Sequence, residues 1–330
     1  MAGTSPGVKV QQHASPAADI PTSRLHPRNR HQGRYDFPRL MQASPGLREF
    51  VRANDHGELG VDFADPAAVR ALNRALLAAC YGIQGWEIPA DALCPSVPGR
   101  ADYLHYLADL LAACNQGVIP KTRHMRVLDV GTGASCIYPL LGHSEYGWRF
   151  VATDINPASL ANAQRILEAN PQLAAQVELR LQASSERIFD GMVLDDDWFD
   201  LTLCNPPFHA SAAEASEGTQ RKWRNLGRLG KDNSRLNFGG QDAELWCRGG
   251  ERAFIQRMVA ESAEIPTRCF WFSSLVSKSE NLPAIHAALK RARVLSHHTV
   301  VMRQGQKTSR FVAWSFLTPT QQAAWRKLRW

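Results

Sequence analysis

The sequence predicts an α/β protein: a mostly parallel, doubly wound sheet preceded by a small helical module. Three observations carry this. Short β-rich runs alternate with helical stretches from Met125 onward, the pattern of strand-helix-strand units and a parallel sheet. The first of those strands runs straight into a glycine-containing turn, as strands do where a ligand approaches the carboxyl edge of such a sheet. Before Met125, apolar residues recur instead at helical spacing.

Taken in order, residues 1–24 are rich in Ala, Ser, Pro and Gln, and bury too little to offset the entropy of ordering, so a disordered tail is expected. An arm follows in which Arg28, Arg30 and Arg34 alternate with His26, His31 and Tyr35. Guanidinium groups suit phosphates and the rings suit stacked bases; an ordinary basic tail is the alternative that composition leaves open. Next, Asp65 stands as N-cap, Pro66 opens a helix with Val69, Leu72, Leu76 and Cys80 on one face, and Gly82 stops it. Leu104, Leu107 and Leu111 mark a second helix. The arm and this helical module are assigned to 25–118, the sheet domain to 119–320, and a basic C-terminal tail to 321–330.

Within the sheet domain the expected strands are 126–130, 149–153, 177–181, 199–203, 269–272, 299–302 and 311–316. The helix after the second is bounded by Asn156 as cap, Pro157 as first residue and Asn170-Pro171 as its end, with Leu160 and Leu167 facing the core. Trp246, Trp271 and Trp314 read as core or pocket walls, and Asp195 to Asp197 as a solvated turn.

The net charge of +7 and pI of about 9.2 point to an acidic partner such as nucleic acid. Seven cysteines, an odd number without a C-x-x-C pair, indicate neither a disulfide framework nor a zinc site, and no metal is expected. No run of about eighteen apolar residues occurs and no secretory start is present, so a cytoplasmic protein without a membrane partner is expected.

The glycine turn reads Asp129-Val-Gly131-Thr-Gly133-Ala-Ser135-Cys136. Two glycines allow a sharp turn and close approach of backbone to a ligand; the missing third glycine, with Cys136 in its place, leaves a dinucleotide fingerprint incomplete, and the absent Gly-Lys-Ser/Thr excludes a P-loop. The second strand ends at Asp154, placed to accept from both ribose hydroxyls of an adenosine. That placement suits NAD or S-adenosylmethionine; a tight turn with Asp154 as helix cap is the structural alternative. Asp129 is expected to orient the loop or the ligand.

The fourth strand ends in Cys204-Asn205-Pro206-Pro207-Phe208. Asn-Pro alone is a turn signal, but here it stands at the ligand-binding edge of the sheet. An adenine amine is a poor nucleophile because its lone pair is delocalised. If the Asn205 side-chain oxygen and the Pro206 carbonyl each accept one N–H, the nitrogen becomes more tetrahedral and its lone pair can be aimed at an electrophilic methyl. The prolines stiffen the segment and remove competing donors, and the Phe208 ring can stack on a base withdrawn from its helix. His209 is read as a pocket-lining residue rather than a general base.

These residues resemble the bacterial 23S ribosomal RNA adenine-N6 methyltransferases, the methyltransferase-10 type, related to eukaryotic enzymes that modify U6 small nuclear RNA. The matching blocks run in order: His26-Pro-Arg-Asn-Arg, Asp65-Pro-Ala-Ala-Val-Arg-Ala-Leu, Val130-Gly-Thr-Gly-Ala-Ser-Cys-Ile-Tyr-Pro-Leu, Tyr146-Gly-Trp, Cys204-Asn-Pro-Pro-Phe, Asn237-Phe-Gly-Gly and Gly249-Gly-Glu. The resemblance implies a Rossmann-like class I methyltransferase with a seven-stranded sheet, S-adenosylmethionine as cofactor, and a helical module that binds RNA and closes over the cofactor. It implies Arg100 as partner of the methionine carboxylate, with Gly131, Ser135, Asp154 and Asn205 as further cofactor contacts, joined by Asp129 and Gly133 of the same loop, and Ser184 on the adenine side. Asp154 stands where relatives often carry Glu. Arg221, Lys222 and Arg224, with Trp223 among them and Arg235 beyond, and Lys307 and Arg310 before the last strand, become candidate RNA contacts. The implied partner is 23S ribosomal RNA or a large-subunit precursor, met by a monomer without an obligate protein partner. Methylation of a glutamine amide in a protein, disfavoured by Phe rather than Tyr at 208, and an inactive RNA-binding assembly factor are the competing readings.

Overall fold

The computed structural model describes residues 25–122, 124–207, 247–304 and 307–330. The expected disordered tail, Phe208, His209, Arg221, Lys222, Trp223, Arg224, Arg235 and Trp246 lie outside them.

The N-terminal module comprises α1 (Phe37–Ala43), a hairpin of β1 (Val51–Ala53) and β2 (Leu59–Val61), α2 (Pro66–Tyr81) and α3 (Val97–Cys114). Helix α2 forms as its sequence dictates: the Asp65 carboxylate accepts from Ala67 N, Pro66 opens the first turn and Gly82 ends it at φ 72°. Leu72 and Leu76 are buried with Ala71 and Ala75, whereas Val69 and Cys80 are half-buried. The hairpin was not expected, since its strands have three residues each, too few to show alternation.

All the expected strands of the main domain form: β3 (Arg126–Val130), β4 (Arg149–Asp154), β5 (Val177–Leu181), β6 (Phe199–Cys204), β7 (Cys269–Val276), β8 (Ser296–Gln304) and β9 (Lys307–Ser315). They make one seven-stranded sheet ordered β5-β4-β3-β6-β7-β9-β8. The first five are parallel, and β9 runs antiparallel to both β7 and β8. Helices α4 (Ile137–Tyr146), α5 (Pro157–Glu168), α6 (Pro171–Ala174), α7 (Gly250–Ser262), α8 (Leu282–Arg291) and α9 (Pro319–Arg329) complete the described α-helices, with short 3-10 turns at Pro45–Glu49 and Ser279–Asn281.

Side-chain alternation divides the core between the two faces. Val127, Phe311 and Ala313 pack with Leu104, Leu107 and Leu111 of α3, Leu140 of α4 and Ile166 of α5. Leu128, Val312 and Trp314 pack with Ile255 and Met258 of α7 and Ile285 of α8. The sheet thus separates α3, α4 and α5 from α7 and α8, and Trp271 and Trp314 are buried in it as expected.

Two expectations are corrected. Residues 321–330 are not a tail: α9 begins with a capping box between Thr318 and Gln321 and buries Trp325. Its end is bound to the buried Asp200 carboxylate, which accepts from Trp325 Nε1 at 2.7 Å, Trp330 Nε1 at 2.8 Å and the Arg329 guanidinium at 2.9 Å. Basic residues at 326, 327 and 329 gave the look of a tail, yet cations in a last turn also complement the helix dipole. Asp197 is not solvated either. It is 3% exposed and ion-paired with Arg126 and Arg180, while Asp195 and Asp196 remain at the surface. Among the described residues no helix is long and apolar enough to cross a membrane, no group of side chains has metal-ligand clustering, and each cysteine is free.

Candidate active site

Strands β3 and β6 are hydrogen-bonded neighbours with Val130 opposite Cys204, so the glycine loop and Asn205 leave the sheet side by side. Strand order reverses here, β4 lying on one side of β3 and β6 on the other, the position at which open α/β sheets bind ligands. A cavity of about 800 Å³ opens at this edge. Gly131, Gly133, Ser135, Asp154, Arg100, Asn205, Pro206 and Pro207 all line it, so the structure brings most of the expected site residues together.

The loop is built by backbone geometry. Gly131 and Gly133 have φ of 74° and 64°, the left-handed region that glycine enters without a side-chain penalty. Where a third glycine is lacking, Cys136 takes φ 50° as the N-cap of α4, a conformation costing about 1–2 kcal/mol for an L-residue with a side chain. Gly131 N and Thr132 N both donate to Thr153 O, at 3.0 and 2.9 Å. Gly133 N donates to Asp154 Oδ2 at 2.8 Å, and Asn156 N to Asp154 Oδ1 at 2.9 Å. Asp154 therefore shapes the loop as well as facing the cavity. Burial raises its carboxyl above the ordinary value, and these backbone donors oppose the shift.

Arg100 arrives from the first turns of α3. Its Nη1 donates to Asn205 Oδ1 at 3.1 Å and to Tyr138 Oη at 3.3 Å, and the guanidinium lies 5.7 Å from the Tyr138 ring centre. The N-terminal module also contributes Leu93 and Pro95 to the cavity wall. Trp86 Nε1 donates to Ser135 O at 3.0 Å, tying the segment between α2 and α3 to the glycine loop.

Two expected cofactor contacts do not line the cavity. Asp129 is fully buried beneath the loop, and neither carboxylate oxygen has a hydrogen-bond partner among the described residues. Burial pushes its carboxyl up to about 7. Ser184 is used locally, its Oγ accepting from Glu186 N at 3.3 Å and its N–H donating to Gln182 Oε1 at 2.9 Å. Gln182, Ser185 and Ile188 form that wall instead. Helix α7 supports them: Glu261 accepts from Ile188 N and Phe189 N, each at 2.8 Å, and Arg257 donates to Ser185 O at 3.1 Å.

The basic arm is packed against the protein. Arg28 donates to Asp109 at 2.7 Å and His105 O at 2.9 Å, and Arg30 pairs with Glu145 at 2.7 Å. His26 and His31 are 4% and 5% exposed, which corrects the expectation that they stack on bases; burial lowers the His31 imidazole to about 4. Arg34 is 81% exposed and pairs with Glu58. Arg310 opposes Val276 at the carboxyl end of β7 and donates to Ser277 O at 3.1 Å, so the β8–β9 hairpin rises at the cavity edge of the sheet. Lys307 opens β9, and its side chain lies outside the described residues.

Sequence reasoning missed Tyr138, Leu93, Pro95, Gln182 and the cavity-lining residues Arg187, Arg248 and Arg257. No local pattern marks them. They meet the site only through the fold.

The sequence over residues 20–318 matches the family model described as RNA methyltransferase. It is 58% identical over 310 residues to the ribosomal RNA large subunit methyltransferase F of Pseudomonas aeruginosa, covering 93% of this chain and 92% of that protein. The protein of the same name from Stutzerimonas stutzeri is 56% identical over 319 residues, covering 96% and 97%. Among solved structures, the human METTL16 catalytic domain in complex with MAT2A 3′UTR hairpin 1 superposes with a TM-score of 0.75 at 32% identity, covering 89% of this chain and 96% of that one. The N-terminal domain of human METTL16 in complex with SAH gives a TM-score of 0.71 at 28% identity, covering 89% and 99%.

Proposed function

The chain belongs to the RNA methyltransferase family, and from that premise we propose that it transfers the methyl group of S-adenosylmethionine to the exocyclic N6 of an adenine in 23S ribosomal RNA. The observation that carries the reaction is Asn205 at the end of β6, beside the glycine loop and oriented by Arg100. The ribosomal target is supported by the large-subunit enzymes to which the chain is 56–58% identical. The cofactor is supported by the SAH-bound relative.

The residues present fit that cofactor. Asp154 offers a carboxylate for the ribose hydroxyls, Gly131, Gly133 and Ser135 keep the loop backbone accessible, and Arg100 offers a guanidinium for the methionine carboxylate. Bound there, the cofactor supplies an electrophilic methyl on a sulfonium. Arg100 carries five N–H donors, so one can hold Asn205 while others hold the carboxylate. Donation from Arg100 also fixes the Asn205 amide with its oxygen, the accepting atom, held from one side. The second lone pair of that oxygen and the Pro206 carbonyl then accept the two amine hydrogens, localising the adenine lone pair for attack. Methylated N6 is acidic while it carries its positive charge, and its proton passes to water without a dedicated base. Phe208 follows directly as the stacking surface for the withdrawn base. Substrate RNA is assigned to the exposed Arg34, to the β8–β9 hairpin with Lys307 and Arg310, and to Arg28 and Arg30; Arg221, Lys222 and Arg224 are assigned to RNA from the sequence alone. The enzyme works as a monomer in the cytoplasm, on free 23S RNA or a precursor particle.

Incubation with methyl-labelled S-adenosylmethionine and unmodified 23S RNA, followed by digestion to nucleosides, tests the reading. Label in N6-methyladenosine alone is expected. Label in another nucleoside, or, in a parallel incubation with a release-factor-like protein, label in its glutamine and none in the RNA, would overturn it.

A further inference from the structure

Asn29 lies in the N-terminal arm yet is 2% exposed. Its Nδ2 donates to Pro98 O at 2.9 Å and to Asp102 Oδ1 at 2.5 Å, and His26 N donates to the same carboxylate oxygen at 3.0 Å. Pro98 and Asp102 lie on either side of Arg100 in the first turns of α3. The N-cap of that helix, Ser96, makes no side-chain capping bond; the arm does not cap its N–H groups but holds the first turns from outside, by donating to the Pro98 carbonyl and the Asp102 carboxylate. One turn further in, α3 is fixed to the sheet: Tyr103 Oη lies 2.8 Å from Ser273 Oγ, which donates to Thr202 O at 2.5 Å. Thr202 is on β6, three residues before Asn205. The helix therefore spans from the arm to the catalytic strand, with Arg100 between its two anchors and bonded to Asn205 at 3.1 Å.

We propose that Asn29 is a positioning residue for methyl transfer: by holding α3 on both sides of Arg100, it sets the guanidinium that orients Asn205 and receives the cofactor carboxylate. Part of the arm is then built into the active site, in addition to any contact that its arginines make with RNA. The inference rests on the cofactor reading above. A catalytic group displaced by about 1 Å can lose on the order of 100-fold in rate, so an anchor two residues away from Arg100 on each side has leverage without touching substrate. Asn29→Ala also leaves the buried Asp102 carboxylate with the His26 backbone donor alone of these two, and an under-satisfied buried carboxylate disfavours the geometry that buries it.

The test is a double-mutant cycle on the full chain, read by calorimetric binding of S-adenosylmethionine and by separate KM values for cofactor and RNA. Asn29→Ala and Arg100→Ala are each expected to weaken cofactor binding, Asn29→Ala by about tenfold, with the KM for RNA little changed. The double variant is expected to bind no more weakly than Arg100→Ala alone, because Asn29 acts through Arg100. Additive losses, or cofactor binding by Asn29→Ala equal to that of the unaltered protein, would overturn the proposal. If Asn29→Ala does not fold, Asp102→Ala removes the same contact from the helix side and enters the same cycle with the same two readings. Failure of the unaltered protein to bind the cofactor would instead overturn the proposed function, which keeps the two failures apart.

Discussion

The Arg100 guanidinium donates to the Asn205 side-chain oxygen at 3.1 Å, joining the N-terminal module to the end of the catalytic strand. A hydrogen bond to a charged group contributes about 1.5–3 kcal/mol, or roughly 10- to 100-fold in an equilibrium constant. Arg100→Lys keeps the charge but loses the planar fork that holds two partners at once. It should weaken cofactor binding about tenfold and lower kcat as well, measured by calorimetry and single-turnover methyl transfer. Unchanged kcat would confine Arg100 to cofactor binding.

Asp129 gives the apo protein a pH-dependent stability. Its carboxyl is raised from 3.8 to about 7 by burial, so between those values the folded protein binds a proton that the unfolded chain has released. Stability from this group is therefore greatest at the acidic end of that window and falls as pH rises toward 7. The neighbouring Thr132 hydroxyl and the Arg100 charge oppose the shift, and Asp154 adds to it. Thermal unfolding between pH 5 and 8 should show Asp129→Asn gaining stability relative to the unaltered protein as pH rises. Parallel curves for the two would contradict the assignment.

The arm arginines separate by their partners. Arg34 is exposed and pairs with Glu58, so Arg34→Ala should weaken RNA binding across sequences and reduce the salt slope by about one, without changing the melting temperature. Arg28 bridges α3 and α4 through Asp109, His105 O and Tyr146 Oη. Arg28→Ala should lower stability by about 1 kcal/mol, discounted for its partial exposure. Filter binding over a salt series and denaturant unfolding distinguish these outcomes.

Asp200 holds the C-terminal helix to the sheet, accepting from Trp325, Trp330 and Arg329. Asp200→Ala leaves the Arg329 charge and two indole N–H groups without this acceptor. A loss of about 3–5 kcal/mol is expected, read as a lower denaturant midpoint. A midpoint within error of the unaltered protein would show that α9 contributes little.

What the sequence disclosed depended on how local each signal was. The β3 to glycine-loop junction, Asp154 at the end of β4 and the Asn205 strand end were legible because a few consecutive residues define each. The caps of α2 and α5 were legible for the same reason, Asp65 and Asn156 bonding the donors they were expected to. Arg100 had no such local mark. It enters from a helix about a hundred residues before Asn205, and only resemblance pointed to it. Composition misled where burial decides: His26 and His31 looked like surface rings, and 321–330 looked like a solvated tail, although the Thr318-Pro-Thr-Gln321 capping box and the apolar Trp325 and Trp330 were available as a helix signal. Ser184 was chosen by position after β5, but its side chain bonds locally to Glu186 N, and Gln182, Ser185 and Ile188 form the cavity wall.

The most direct test of the account compares Asn205→Ala with the unaltered protein, measuring S-adenosylmethionine affinity by calorimetry and methyl transfer to 23S RNA under single turnover. The account predicts cofactor binding within about tenfold, since Asn205 contributes one of several contacts, and a transfer rate reduced by at least 100-fold, the order expected when a positioned acceptor for the reacting amine is removed. Transfer at the unaltered rate with the Asn205 oxygen gone would contradict it.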